Sequence, residues 1–395
     1  MGKRRYVNMG ILDARAKEAL SVAIQAKKAA EGNTGGAQGL LINGESGLTL
    51  WRAAKAKVIN GDLLTNVNVI GSSSVVGQGA GGGKVDGNTS IANQMGWLNG
   101  GFVGRTRTKL KKDFGDVGRG FIPHTHPDFF INKTGTWNNL ATHGFLGVPA
   151  IKSAGDASIS IKFSATSLTL ITVLGTLGAG FTVAVDGGTA KAFTSIGTAN
   201  PASEIVVASG LEDKDHTAVL TVTDRPQANS GVTLIGMYEG RGNTGVRVNA
   251  IGLRGAKTSA AVMGENFEQA QIDIWKPSLT VIAFGSNDYA AQTPLQNFRT
   301  QTQAIIDRAK QYGDVLLYSA GMRADLNLAI PQDNYTQVYR ELALANDIAF
   351  YETYKRWKSF DYAKNKLQFI ASDDVHMNDY GHEDLAEGLY QVLMT

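Results

Sequence analysis

Apolar positions along the chain fall into two textures. From about Leu41, helical and strand patterns alternate: Leu48–Val58 carries a helix-like spacing and Asn66–Ile70 reads as a short buried strand. The same rhythm returns from about Gly245 to the end. There Leu279–Phe284, Val315–Tyr318 and Ile348–Tyr351 are continuous apolar runs of strand length. Between them, Phe298, Ile305, Ile306 and Ala309 share one helical face, and Tyr335–Asn346 and Asp379–Leu393 read as helices. Strands alternating with helices predict a mostly parallel sheet covered on both faces.

The stretch between is different. From roughly Val148 to Tyr238, short Val/Thr/Ile runs such as Ser158–Phe163, Thr182–Val185 and Thr217–Thr223 are separated by turns of the Asp186-Gly187-Gly188 kind, with no amphipathic helix among them. This predicts a β-sandwich inserted into the α/β domain. Phe163–Val185 has no charge and is long enough to raise the question of a membrane span. Its serines, threonines and glycines, and the period-two alternation of Leu168, Leu170, Phe181, Val183 and Val185, favour two strands around a glycine turn. Ahead of everything lies an alanine-rich helical segment, Ile11–Glu31, ending at Gly32-Asn33-Thr34-Gly35-Gly36. The expected division is therefore an arm and linker at 1–40, an α/β domain at 41–147 and 241–395, and a carbohydrate-binding-like β insert at 148–240.

Composition narrows the chemistry. The 395 residues include 47 glycines, 8 prolines and no cysteine, which fits ordered protein with many tight turns and excludes disulfide scaffolds, thiolate nucleophiles and cysteine zinc sites. A net charge of +3 is too small and dispersed to argue for nucleic acid. Asp13, Arg15, Lys17 and Glu18 interrupt any apolar region after the basic start, so no secretory signal is readable.

Three clusters could carry chemistry. Gly71-Ser72-Ser73-Ser74 follows the strand ending at Ile70, a strand-to-helix turn on the carboxyl edge of the sheet, where a hydroxyl is accessible and N–H groups can stabilise an oxyanion. The neighbouring Gly77-Gln-Gly79-Ala-Gly-Gly82 matches a dinucleotide GxGxxG, but no helical pattern and no acidic residue follow, and a structural glycine loop is the simpler reading. Gly285-Ser286-Asn287-Asp288 again follows a strand; Asn287 could donate to an oxyanion, though Asn-Asp there is often a helix cap. In Asp373-Asp374-Val375-His376, a carboxylate three residues before a histidine can orient the imidazole and leave its other nitrogen for a hydroxyl.

In this order, the clusters resemble the SGNH (GDSL-type) serine hydrolases: Gly71-Ser72-Ser73 as the first block, Gly255 as the glycine after the next short strand, Gly285-Ser286-Asn287-Asp288 as the GxND block, and Asp373-x-x-His376 as the last. Ser72 stands where the family usually has Asp. The resemblance spans about 41–150 and 240–395 and implies a flavodoxin-like three-layer α/β/α fold. It further implies ester hydrolysis with Ser73 as nucleophile, His376 as base and Asp373 as its orienting partner. The N–H groups of Ser73 and Gly255 with the Asn287 side chain would form the oxyanion hole, and neither metal nor organic cofactor is needed. An α/β catalytic domain interrupted by a β-sandwich looks like carbohydrate esterases and phage tail hydrolases, and Phe114–Pro123 resembles segments of such tail proteins.

That architecture suggests an O-acylated bacterial surface glycan as substrate, a virion-tail or extracellular setting with other tail proteins as partners, and a trimer as the usual fibre assembly, although no sustained heptad is visible. Trp137, Tyr289 and Trp97 are candidate sugar-stacking side chains. His124-Thr-His126, flanked by Pro123 and Pro127, reads as a surface or cleft-wall loop rather than a metal site; His143 and His216 carry no recognisable partner, and His382 reads as a helix residue near the rim. Competing readings are a non-catalytic glycan-binding tail protein and a lipase or thioesterase acting on small esters.

Overall fold

The computed structural model describes residues 40–81, 98–145, 148–262, 272–319 and 321–395. The expected N-terminal arm and Trp97 lie outside them. The first sheet is built from β1 (Leu41–Ile42), β2 (Leu64–Gly71), β12 (Gly245–Gly252), β13 (Leu279–Ala283), β14 (Asp314–Tyr318) and β15 (Ala349–Tyr351), in the spatial order β1-β15-β14-β13-β2-β12. All pairings are parallel except the short edge pairing of β1 with β15.

Successive residues of each strand enter different cores. Val69, Val281, Leu316 and Ala349 pack with helices α1 (Thr49–Ile59), α3 (Phe102–Phe114) and α8 (Asp379–Met394), through Trp51, Phe102, Leu385 and Leu389. Their strand neighbours Ile70, Ile282, Leu317 and Phe350 pack the opposite way, with α5 (Leu295–Ala309) and α6 (Gln332–Asn346), through Phe298, Ile306, Tyr339 and Leu342. Burial on both faces is why these strands read as continuous apolar runs, and the result is the three-layer arrangement expected from the sequence. Helix α3, which the apolar spacing did not single out, carries a lysine- and arginine-rich exposed face that masks its buried stripe of Phe102, Val103 and Leu110.

The second sheet has nine strands: β3 (Ile122–Pro123), β4 (Phe130–Phe145), β5 (Val148–Ala165), β6 (Ser167–Leu174), β7 (Gly180–Val185), β8 (Lys191–Thr194), β9 (Asn200–Ala208), β10 (Lys214–Asp224) and β11 (Thr233–Gly240). The expected division at 147/148 falls inside the β4–β5 hairpin. Phe130–Phe145 pairs along β5 and so belongs with this second sheet rather than with the α/β domain. Its middle, Asn132–Thr136, is exposed, so the polar sequence there hid a strand. The uncharged stretch Phe163–Val185 is indeed strand, but β6 and β7 do not pair: β6 lies between β9 and β11, and β7 between β8 and β10. No helix among the described residues is long and apolar enough to cross a membrane.

The two units meet through Phe121, Phe145 and Trp275, whose rings lie 5.0–5.7 Å apart, and through the Asn249 Oδ1 that accepts from the Phe121 N–H at 3.0 Å. Arg119 and the buried carboxylate of Glu239 form an ion pair at 3.0 Å beside this junction.

Candidate active site

Parallel register aligns three loops. Gly252 at the end of β12 pairs with Gly71 at the end of β2, and Gly71 pairs with Ala283 at the end of β13. Ser73, Gly255 and Asn287 follow these strand ends within a few residues, so all three emerge at the carboxyl edge of one sheet. Gly71 is required at its place: a Cβ would lie 2.4 Å from the Ala283 carbonyl oxygen.

Ser73 opens the one-turn helix α2 (Ser73–Val76) behind the extended Ser72. Its N–H belongs to the first turn, where no intrahelical acceptor exists. Its hydroxyl lies 2.9 Å from His376 Nε2, and His376 Nδ1 lies 2.5 Å from Asp373 Oδ2. Asp373 Oδ1 meanwhile accepts the backbone N–H groups of Val375 and His376 at 3.1 and 3.0 Å. Burial alone would raise the Asp373 carboxyl, but the His376 N–H, the imidazole and the Val375 N–H together hold it below the ordinary carboxylate range. Asp373 is thus an anion at neutral pH, which fixes the imidazole with Nδ1–H toward the carboxylate and the Nε2 lone pair toward the serine.

The loop carrying this pair is tightly closed. Ala371 N–H donates to the His376 carbonyl at 2.7 Å, Asp374 takes φ +58°, and Asn378 caps α8 by accepting from Tyr380 and Gly381 N–H. The glycine-rich segment after Ser73 packs against it: a Cβ on Gly79 (φ +94°) would sit 2.1 Å from the Met377 carbonyl oxygen and 3.3 Å from the His376 side chain. Close backbone approach therefore accounts for this glycine, as the structural-loop reading expected.

Gly255 lies in a turn closed by Ala256 N–H to the Leu253 carbonyl at 3.1 Å, with φ +73° and open space where a Cβ would project. Asn287, on α4 (Ser286–Ala290), makes no cap hydrogen bond; its Nδ2 donates to the Ala256 carbonyl at 3.0 Å, leaving the second amide hydrogen available. The adjacent Asp288 is fully buried and accepts from Thr258 N–H at 3.1 Å and Thr258 Oγ1 at 2.7 Å. Burial outweighs these hydrogen bonds and raises its carboxyl. Asn287 and Asp288 together pin the loop that bears Gly255, a positioning role not read from the sequence, although the GxND block contains the residue.

Several expectations are corrected. Tyr289 is fully buried, its ring edge-on to Tyr335 at 6.4 Å and its hydroxyl donating to Asp325 at 2.8 Å, so it presents no face to a sugar. Trp137, by contrast, keeps part of its ring exposed: it is half-buried on β4, with its Nε1–H bonded to the Thr134 carbonyl at 3.1 Å. His382 is not at the rim: it is fully buried, its Nε2–H donated to the Gln78 carbonyl at 3.0 Å and its Nδ1 accepting Phe102 N–H at 3.2 Å. Burial lowers it to about 4, against the Gln78 bond, so the neutral ring ties the glycine-rich segment after Ser73 to α3 and α8. His124 and His126 do lie in a loop, between β3 and β4, but both are buried rather than at the surface, and His126 packs edge-on to Phe129 at 4.8 Å. His216 does have partners, Asp186 Oδ2 at 2.7 Å and the Glu212 carbonyl at 2.9 Å. The side chain of His143 lies outside those described. Among the described residues no group of three or more His, Asp or Glu side chains could hold a metal ion.

Residues 223–383 match the family described as GDSL-like Lipase/Acylhydrolase. No curated protein matches the chain. Among solved structures, one described as a peptidoglycan O-acetylesterase in action aligns with a TM-score of 0.63 at 15% identity, covering 90% of this chain and 98% of that one. That likeness establishes a shared fold. An active-site mutant of a family two carbohydrate esterase from Clostridium thermocellum aligns at 15% identity over 66% of this chain and 96% of its own, with a TM-score of 0.28. The lipase/acylhydrolase from Enterococcus faecalis aligns at 22% identity over 37% of this chain and 74% of its own, with a TM-score of 0.32.

Proposed function

We propose that this protein is a serine esterase that removes O-acyl groups, acetyl foremost, from a bacterial surface polysaccharide. The observation that carries the reading is the continuous chain from Ser73 Oγ to His376 Nε2 at 2.9 Å and from His376 Nδ1 to Asp373 at 2.5 Å. The match of residues 223–383 to GDSL-like acylhydrolases supports it.

In the first half-reaction Ser73 Oγ attacks the ester carbonyl while His376 Nε2 takes its proton, and Asp373 stabilises the imidazolium that forms. The tetrahedral oxyanion is met by the N–H groups of Ser73 and Gly255 and the remaining amide hydrogen of Asn287. Collapse expels the sugar hydroxyl, protonated by His376, and leaves Ser73 acylated. Water, deprotonated by His376, then attacks the acyl carbonyl; the second tetrahedral intermediate collapses as His376 returns the proton to the departing Ser73 Oγ, and the freed acid ionises to the carboxylate.

The glycan substrate is supported by the β unit joined to the catalytic domain, read as a β-sandwich of carbohydrate-binding type, and by the fold shared with a peptidoglycan O-acetylesterase. The proposed place on a phage tail is supported by the resemblance of Phe114–Pro123 to segments of tail proteins. Mass spectrometry of O-acetylated bacterial polysaccharides before and after incubation tests the reading. Loss of acetyl mass is expected; intact acetyl groups alongside glycan binding would favour a non-catalytic adhesin, and a rate rising with acyl chain length would favour a lipase.

A further inference from the structure

A cavity of about 670 Å³ opens between the β14–α6 loop, α6 and the segment after β15. Its volume lies in the range of roughly 300–1,000 Å³ typical of small-molecule sites. It adjoins the catalytic loop directly. Ala324 N–H donates to the Asp374 carbonyl at 2.9 Å, two residues before His376, and a Cβ on Gly321 would touch the Met377 sulfur at 2.5 Å. Tyr289, two residues past Asn287, lies buried behind the wall, its hydroxyl bonded to Asp325.

The charges within it are not equivalent. Glu352 engages both Arg340 at 2.7 Å and Lys355 at 3.2 Å, and Asp325 is occupied by the Tyr289 hydroxyl and the Asn327 N–H. Arg323 lines the same cavity with no carboxylate at ion-pair distance among the described residues, and its buried Nε has no hydrogen-bond partner. A guanidinium desolvated on one edge and unmatched by an anion is a planar bidentate receptor for an oxyanion.

We propose that this cavity is a subsite for an acidic sugar, with Arg323 receiving the carboxylate of a residue next to the acylated one. The proposal rests on the esterase reading for its link to turnover, but not for binding. The substrate class is then an O-acylated glycan containing uronate or another carboxylated sugar. Arg323 contributes affinity and register, while Ser73, His376 and Asp373 carry out the chemistry.

The test uses the full chain carrying Ser73→Ala, which binds without turning over. Calorimetry with oligogalacturonate and with a neutral oligosaccharide of equal length should give tighter binding of the acid by about tenfold or more, weakening as salt is raised from low ionic strength. Adding Arg323→Gln should remove that preference, and Arg323→Lys should restore it in part. Equal binding of acid and neutral sugar by the Ser73→Ala chain, or an unchanged preference in a folded Arg323→Gln chain, overturns the subsite. Salt dependence measured without any Arg323 change decides the matter if the glutamine variant does not fold. Acid-selective binding by a chain whose wild-type form hydrolyses no ester would keep the subsite and remove the esterase reading, so the two fail separately.

Discussion

The two sheets of this molecule use histidine in opposite ways. In the parallel sheet's helical layer, His382 is buried with one nitrogen donating and the other accepting, and burial lowers it to about 4. In the nine-stranded sheet, burial would likewise lower His216, but both its nitrogens face acceptors, Asp186 and the Glu212 carbonyl, and these raise it. The first ring is a neutral strut; the second favours the imidazolium. A histidine's role follows from what faces its two nitrogens, and neither partner is a sequence neighbour in the first case. The imidazole that meets the Ser73 hydroxyl sits at the edge of the parallel sheet, where strand ends converge; in the antiparallel unit His216 and the fully buried Glu239 are each held by an oppositely charged partner, Asp186 and Arg119.

The contrast can be broken by mutation, and activity should respond on one side only. Ser73→Ala should lower kcat for p-nitrophenyl acetate by about 10⁴–10⁶-fold with an unchanged melting temperature, and Asp373→Asn by about 10⁴-fold through loss of the tautomer. Asn287→Ala should cost about 10²–10³-fold in kcat, because it removes an oxyanion donor and the tie to the Ala256 carbonyl. Asp186→Asn, on the other sheet, should leave kcat within about twofold while lowering stability; a parallel loss of turnover would mean that the units are not separable in this way.

The pH dependences should differ in sign. The unfolded imidazole titrates near 6.5, so His382, held to about 4, leaves stability complete above 6.5 and lost as pH falls toward 4, by up to about 3 kcal/mol. His382→Asn should be less stable at neutral pH and show a shallower acid-side slope. His216, raised, contributes stability that is present below its ordinary value and lost as pH rises through the raised one. Denaturation midpoints of His216→Ala should accordingly approach those of the parent at alkaline pH and fall below them near pH 6.

Much of the parallel sheet was legible because burial on both faces leaves uninterrupted apolar runs, as at Leu279–Ala283. Ser73, Asn287, Asp373 and His376 were legible because each follows a strand or precedes a helix with a recognisable local signal. What escaped had no local signature. The exposed middle of β4 looked like loop, and Tyr289 looked available because it directly follows the Gly285-Ser286-Asn287-Asp288 block, whereas the helical turn of α4 directs it into the core. Arg323 carries no motif at all; only the loop's attachment to Asp374 brings it beside the site.

The central claim is that one serine among three consecutive ones is activated by His376. Incubating the wild-type chain with a fluorophosphonate, which loses fluoride as the serine oxygen bonds to phosphorus, and mapping its peptides by mass spectrometry tests this directly. A single phosphonyl adduct on Ser73, absent after His376→Ala, is predicted. An unlabelled Ser73, or an adduct on Ser72 or Ser74 instead, would contradict it.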